Sequence, residues 1–75
     1  MKQVNIQLND TEDILEFVRE AEKCEFDIDL KLGSVLIDGK SLLGVCSLGL
    51  AKNVTVQYHG ESPEFMKAIQ KFAVA

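Results

Sequence analysis

Histidine and proline each occur once in the 75 residues, and cysteine occurs twice. The lone histidine, His59, has no ligand-spaced partners around it, so no metal centre is expected. A general base also needs a nucleophile to activate, and no pattern in the chain supplies one. Cys24 and Cys46 form no CxxC pair, which excludes a thiolate metal ribbon and a redox dithiol. Two isolated thiols without an export signal are expected to stay reduced, which places the protein in the cytoplasm. No apolar run approaches the ~18 residues of a membrane span. The start, Met1-Lys2-Gln3-Val4, lacks the apolar core of a signal peptide. Positive charge is in deficit, with 8 Lys and Arg against 12 Asp and Glu and a net charge of -4. That sign argues against nucleic acid or an anionic membrane as partner. Linkers, repeats and low-complexity stretches are absent as well. The length suits one domain over residues 1–75. A domain so small buries only about 60–65% of its unfolded surface and has little room for an enclosed substrate pocket. No cofactor and no enzymatic activity are expected.

What is present is clear periodicity, in a chain that is 47% hydrophobic and 27% charged. Val4, Ile6 and Leu8 alternate with Asn5 and Gln7, the pattern of a half-buried strand. Asn9-Asp10-Thr11-Glu12-Asp13 then supplies capping side chains and first-turn acids, and Ile14, Phe17, Val18 and Ala21 follow at helical spacing. Phe26 to Leu32 alternates again. Gly33-Ser34 fits a two-residue hairpin of type II′ leading into a strand from Val35 to Ile37. Ser41 opens a short helix that Gly49 closes. Val54, Val56 and Tyr58 mark a fourth strand. Ser62-Pro63-Glu64 is a strong helix start, with Phe65, Ile69, Phe72 and Ala73 as the inward stripe. The order β-α-β-β-α-β-α predicts an α+β fold, helices on one face of a mainly antiparallel sheet.

His59 is expected at the surface end of the fourth strand, and Cys24 is expected to pack beside the end of the first helix. Asp10, Glu12 and Asp13 complement the positive end of the helix dipole, worth ~0.3–1 kcal/mol each at a surface. The short helix carries more apolar residues than one face can bury. Val45 and Leu48 share one side, so some of Leu42, Leu43 and Cys46 should reach solvent. An exposed apolar cluster on a small domain marks a docking site unless neighbouring loops cover it.

Lys40-Ser41-Leu42-Leu43-Gly44-Val45-Cys46-Ser47-Leu48-Gly49-Leu50-Ala51-Lys52 resembles the central helix segment of HPr, the histidine-containing phosphocarrier of the bacterial sugar phosphotransferase system. Phe17-Val18-Arg19-Glu20-Ala21 is similar to the family's first helix, and the element order agrees over the chain. The resemblance implies an open-faced sandwich with sheet order 1-4-2-3. It also implies a regulatory phosphorylation position at Ser41, with Leu42, Leu43 and Cys46 on the docking face. Gly39 stands where the family usually has an apolar residue. The family's phosphorylated histidine does not carry over, because Asp10 falls at its position and Glu12 at that of a neighbouring arginine. A phosphohistidine site needs an imidazole and a cationic cradle, and this segment offers carboxylates. The expected role is thus a non-catalytic regulatory or adaptor module of the phosphotransferase system. Its implied partners are proteins: a serine kinase of the HPr-kinase type, and a transcriptional regulator or phosphotransferase component. Two alternatives stay open. One is a divergent carrier using Asp10 as acceptor; the other is an interaction domain without phosphorylation, in which Ser41 is a helix cap.

Overall fold

A computed structural model describes residues 1–74. Its elements are β1 (Lys2–Gln7), α1 (Thr11–Glu22), β2 (Ile28–Leu32), β3 (Val35–Asp38), α2 (Leu42–Ser47), β4 (Asn53–Tyr58) and α3 (Pro63–Gln70). The order matches the sequence expectation element for element. The strands form one antiparallel sheet in the order β1-β4-β2-β3.

Register follows from the period-two pattern, because residues directly opposite each other share a face of the sheet. Ile6 opposes Val54, and Val56 sits between Val4 and Leu30. These side chains turn to the helices and form the core with Phe17, Phe65 and Ile69. Gln3, Asn5 and Gln7 oppose Gln57, Thr55 and Asn53 on the other, uncovered face. There Gln7 Nε2 donates to Asn53 Oδ1 at 2.9 Å and Thr55 Oγ1 to Asn5 Oδ1 at 2.9 Å.

The amphipathic stripe of α1 is buried as its spacing requires: Ile14, Phe17, Val18 and Ala21 all face the core. At the β2–β3 hairpin Gly33 takes φ +60°, and Ser34 keeps a negative φ, the combination a type II′ turn needs. Ser62 caps α3 by accepting the Phe65 N–H at 3.1 Å, with Pro63 at the first helical position. One part of the expected stripe fails. Ala73 lies beyond the end of α3, is exposed, and bridges to Ile6. The chain leaves the helix because its main chain is drawn to β1: the Gln7 N–H donates to the Phe72 carbonyl and the Val74 N–H to the Asn5 carbonyl, both at 2.9 Å.

Candidate functional site

The segment from Asp38 to Leu50 is positioned from beneath by β2 and β3. The Gly39 N–H donates to the Ile28 carbonyl at 2.7 Å, and Gly39 is buried. A Cβ there would stand 3.0 Å from the Ile28 carbonyl oxygen and from Ile28 Cγ2. This explains glycine at a position where an apolar residue was expected: the main chain itself fills the space. Asp38 Oδ1 accepts the Lys40 N–H at 2.9 Å and tightens the turn. Lys40 Nζ donates to the Cys24 carbonyl at 2.8 Å, so its ammonium ties this turn to the end of α1.

Ser41 is the N-cap of α2, its hydroxyl accepting the Gly44 N–H at 3.1 Å. Gly44 lets the helix press on β3, for a Cβ there would stand 2.7 Å from Ile37 Cγ2. Val45 and Leu48 are thereby driven into the core. The remaining apolar side chains have nowhere to go but outward. Leu42 is 42% exposed, Leu43 85% exposed, and Cys46 is exposed as a free thiol. Gly49, at φ +90°, ends the helix. Leu50 is also exposed, and Ala51 takes a left-handed φ of +58° while its N–H donates to the Leu8 carbonyl at 2.8 Å. That bond joins the far end of the α2 segment to the loop before α1.

The start of α1 is an acidic cap. Asp10 Oδ1 accepts the Asp13 N–H at 2.9 Å, and Asp13 Oδ2 accepts the Asn9 N–H at 3.0 Å. Glu12 is exposed in the same turn. The carboxylates of Asp10 and Asp13 are thus engaged with main-chain donors, as capping side chains. Leu15, one turn on and exposed, was not singled out from the sequence. The signal was there: it falls off the stripe formed by Ile14, Phe17 and Val18. Glu16, about 100° away around the helix, pairs with Lys71 at 2.6 Å, so Leu15 lies on the flank turned away from α3.

His59 is exposed directly after β4. Lys2 pairs with Tyr58 at one end of the β1–β4 ladder, and Gln7 pairs with Asn53 at the other. The loop carrying Asp10 follows Gln7, so His59 stands a strand length away from it, about 17 Å. The histidine therefore cannot serve that loop. Cys24 is buried beside the end of α1, its thiol within 3.7 Å of the Glu20 carbonyl. Burial pushes the thiol up from its ordinary value, against the hydroxyl of Ser62 and the charge of Lys40, which pull it down.

The sequence model described as the phosphorylation site of the phosphotransferase-system HPr component matches residues 14–74. The chain belongs to the HPr family. No curated protein matches the chain in sequence. Among solved structures it is similar to HPr-C-His from Thermoanaerobacter tengcongensis, at 25% identity and a TM-score of 0.77, over 95% of this chain and 89% of that one. HPr from Bacillus anthracis shares the fold at 22% identity and a TM-score of 0.74, over 97% and 96% of the two chains. Crh from Bacillus subtilis, solved as a swapped dimer, shares it at 21% identity and 0.66, over 93% and 88%. HPr proteins are phosphocarriers rather than enzymes and act through other proteins of the phosphotransferase system. The residues matching the HPr family begin at Ile14, so the acidic turn from Asn9 to Asp13 lies outside the match. Among the described residues no helix is long and apolar enough to cross a membrane.

Proposed function

We propose that this HPr-family chain is a non-catalytic regulatory or adaptor protein, docked through α2 and phosphorylated on Ser41. It is one domain over residues 1–75, of which Ala75 lies outside the described residues, and it works in the cytoplasm. It is a divergent member in which Asp10 and Glu12 occupy the positions of the family's active-site histidine and arginine. Its partners are a serine kinase of the HPr-kinase type and a transcriptional regulator or phosphotransferase component.

The observation that carries this reading is the exposure of Leu42 and Leu43, at 42% and 85%, on the helix that Ser41 caps. Leucines left in solvent on a small domain cost solubility, and a partner's apolar surface is what offsets that cost. A phosphate on Ser41 adds about -1.5 to -2 charge at the rim of the patch. Placed beside Leu42 it favours a partner that presents Arg and disfavours an acidic one. The carrier role is disfavoured by chemistry: the acidic turn at α1 repels a phosphoryl group.

Intact mass tests both halves. With phosphoenolpyruvate and enzyme I, under mild alkaline conditions that preserve phosphohistidine, the mass should not change. With ATP and the serine kinase one phosphate should add, and Ser41→Ala should abolish it. A stoichiometric adduct from enzyme I that disappears in Asp10→Ala would establish the carrier instead. No adduct from either donor would leave a pure interaction domain.

A further inference from the structure

A β-sheet has two edges of unpaired main chain, and the described residues cover one of them. The β1 edge is occupied by the segment after α3, through the bonds from Gln7 to Phe72 and from Val74 to Asn5. Among the described residues β3 has one sheet neighbour, β2. The bond from the Gly39 N–H to the Ile28 carbonyl sets the phase of that ladder. Alternation then turns the main-chain groups of Val35 and Ile37 toward β2 and those of Leu36 and Asp38 outward. The Asp38 carbonyl accepts the Ser41 N–H at 3.1 Å. The open edge therefore presents the N–H and carbonyl of Leu36 and the N–H of Asp38.

Exposed edges are usually guarded by lysine, proline, a bulge or an inward charge. This one is Val35-Leu36-Ile37-Asp38, with Val35 48% and Leu36 58% exposed. Its one charge stands at the end of the strand, and the Asp38 carboxylate is folded back onto the Lys40 N–H.

We propose that the β3 edge is a self-association surface whose occupant is β3 of a second copy, paired antiparallel about a two-fold axis at Leu36. In that register the two Leu36 residues exchange both N–H···O=C bonds. Val35 opposes Ile37 of the second copy on the helix face, and the two Leu36 side chains meet on the open face. Asp38 opposes Ser34, so no like charges face each other. Sliding the register by two, onto Ile37, would spend both Leu36 N–H groups on Asp38 carbonyls that already accept from Ser41, whereas in the register at Leu36 only the N–H of the turn residue Ser34 meets them. The strand is thus complementary to itself in hydrogen bonding and in charge, which is what an isologous interface requires. The product is one eight-stranded sheet across two copies. Four residues a side make a small contact, below the ~1,200 Å² of standard interfaces, so the association is weak and reversible. It does not depend on the docking role of α2.

Sedimentation equilibrium from micromolar to millimolar protein tests this, with hydrogen exchange of the Leu36 amide read at both extremes. The mass should climb from 8.3 kDa toward twice that value. The Leu36 amide should exchange several-fold more slowly at the high end. Leu36→Lys sets two ammonium groups against each other. Leu36→Pro removes the outward donor and leaves the β2 ladder intact. Either variant that keeps the core amide spectrum should remain monomeric throughout. A wild-type protein that stays monomeric at millimolar concentration overturns the proposal. So does a dimer that persists in the variants with Leu36 unprotected, the sign of swapping or of another face. Capture of an unrelated apolar peptide at this edge without self-association overturns it too, giving the edge to a foreign strand.

Discussion

Leu43 lies in α2 and Leu48 caps its C-terminal end, and the two have opposite fates. Leu48 is 7% exposed and Leu43 85%. Exposed positions change stability by within ~0.5 kcal/mol when truncated, whereas a buried Leu→Ala costs ~2–5 kcal/mol. Leu43→Ala should therefore leave the denaturant midpoint nearly unchanged while weakening partner binding, and Leu48→Ala should lower the midpoint markedly. Equal losses in the two would place Leu43 in the core and remove the docking patch. Two buried acids of the weak kind set a second expectation. Burial raises Cys24 above 9.0 and Tyr58 above 10.0. Both groups are neutral when protonated, so full stability is present below these values. Above them the unfolded chain releases its protons first, and stability falls as pH rises toward the folded values. The thermal midpoint should decline from about pH 9 upward. Tyr58→Phe should flatten the steeper part of that decline above pH 10. An unchanged slope in Tyr58→Phe would assign the loss to other groups.

At the scale of elements, the joint between α2 and β3 is set by the absence of a side chain. Alanine is favoured over glycine inside a helix by ~1 kcal/mol, so propensity alone predicts that Gly44→Ala stabilises. Packing predicts the reverse. The new Cβ meets Ile37 Cγ2 at 2.7 Å, and a β-branched side chain on a strand has little freedom to yield. Overpacking of this kind costs ~1–3 kcal/mol. Gly44→Ala is expected to lower stability, and adding Ile37→Ala should cost less than the sum of the single changes. Strict additivity of the two would show that the helix does not rest on Ile37. Boundaries tell a related story. The alternation of Phe26 to Leu32 reads as a strand throughout, yet β2 begins only at Ile28. Tyr58, the last residue of β4, pairs with Ile28, so the ladder ends there, and the Phe26 ring stacks on that of Tyr58 with centroids 5.6 Å apart.

For the whole molecule, the proposed phosphorylation should change recognition without changing the fold. Ser41 is half-buried at the start of α2, and its hydroxyl accepts the Gly44 N–H. Lys40, adjacent in sequence, spends its ammonium on the Cys24 carbonyl, so the phosphate finds that cation already engaged. In an amide NMR spectrum, shifts on phosphorylation are expected at Ser41, the following turn and the Cys24 contact. They should be absent from the β1–β4 ladder. Shifts spread through that ladder would mean that the modification refolds the domain.

Much of this was legible in the residues themselves. The order β-α-β-β-α-β-α, the caps at Asp10, Ser41 and Ser62, the hairpin at Gly33 and the α1 stripe are local. They follow from periodicities of 2 and 3.6 and from side chains bonding their own nearest amides. The surplus of apolar residues on α2 was also visible, since a helix can bury only one stripe. That all of Leu42, Leu43 and Cys46 would reach solvent was not, since the spacing required only some of them to. That depended on Gly44 meeting Ile37, a contact between elements that no spacing encodes. The sequence likewise could not show the end of α3, where main-chain bonds from Gln7 and Val74 draw the chain onto β1 and leave Ala73 in solvent. Nor could it tell a covered sheet edge from an open one. Local chemistry determines which elements form, because helix bonds, caps and turns close within a few residues and a strand's alternation lies in its own run of side chains. Exposure is a property of pairs of elements, and only the assembled sheet and helices decide it.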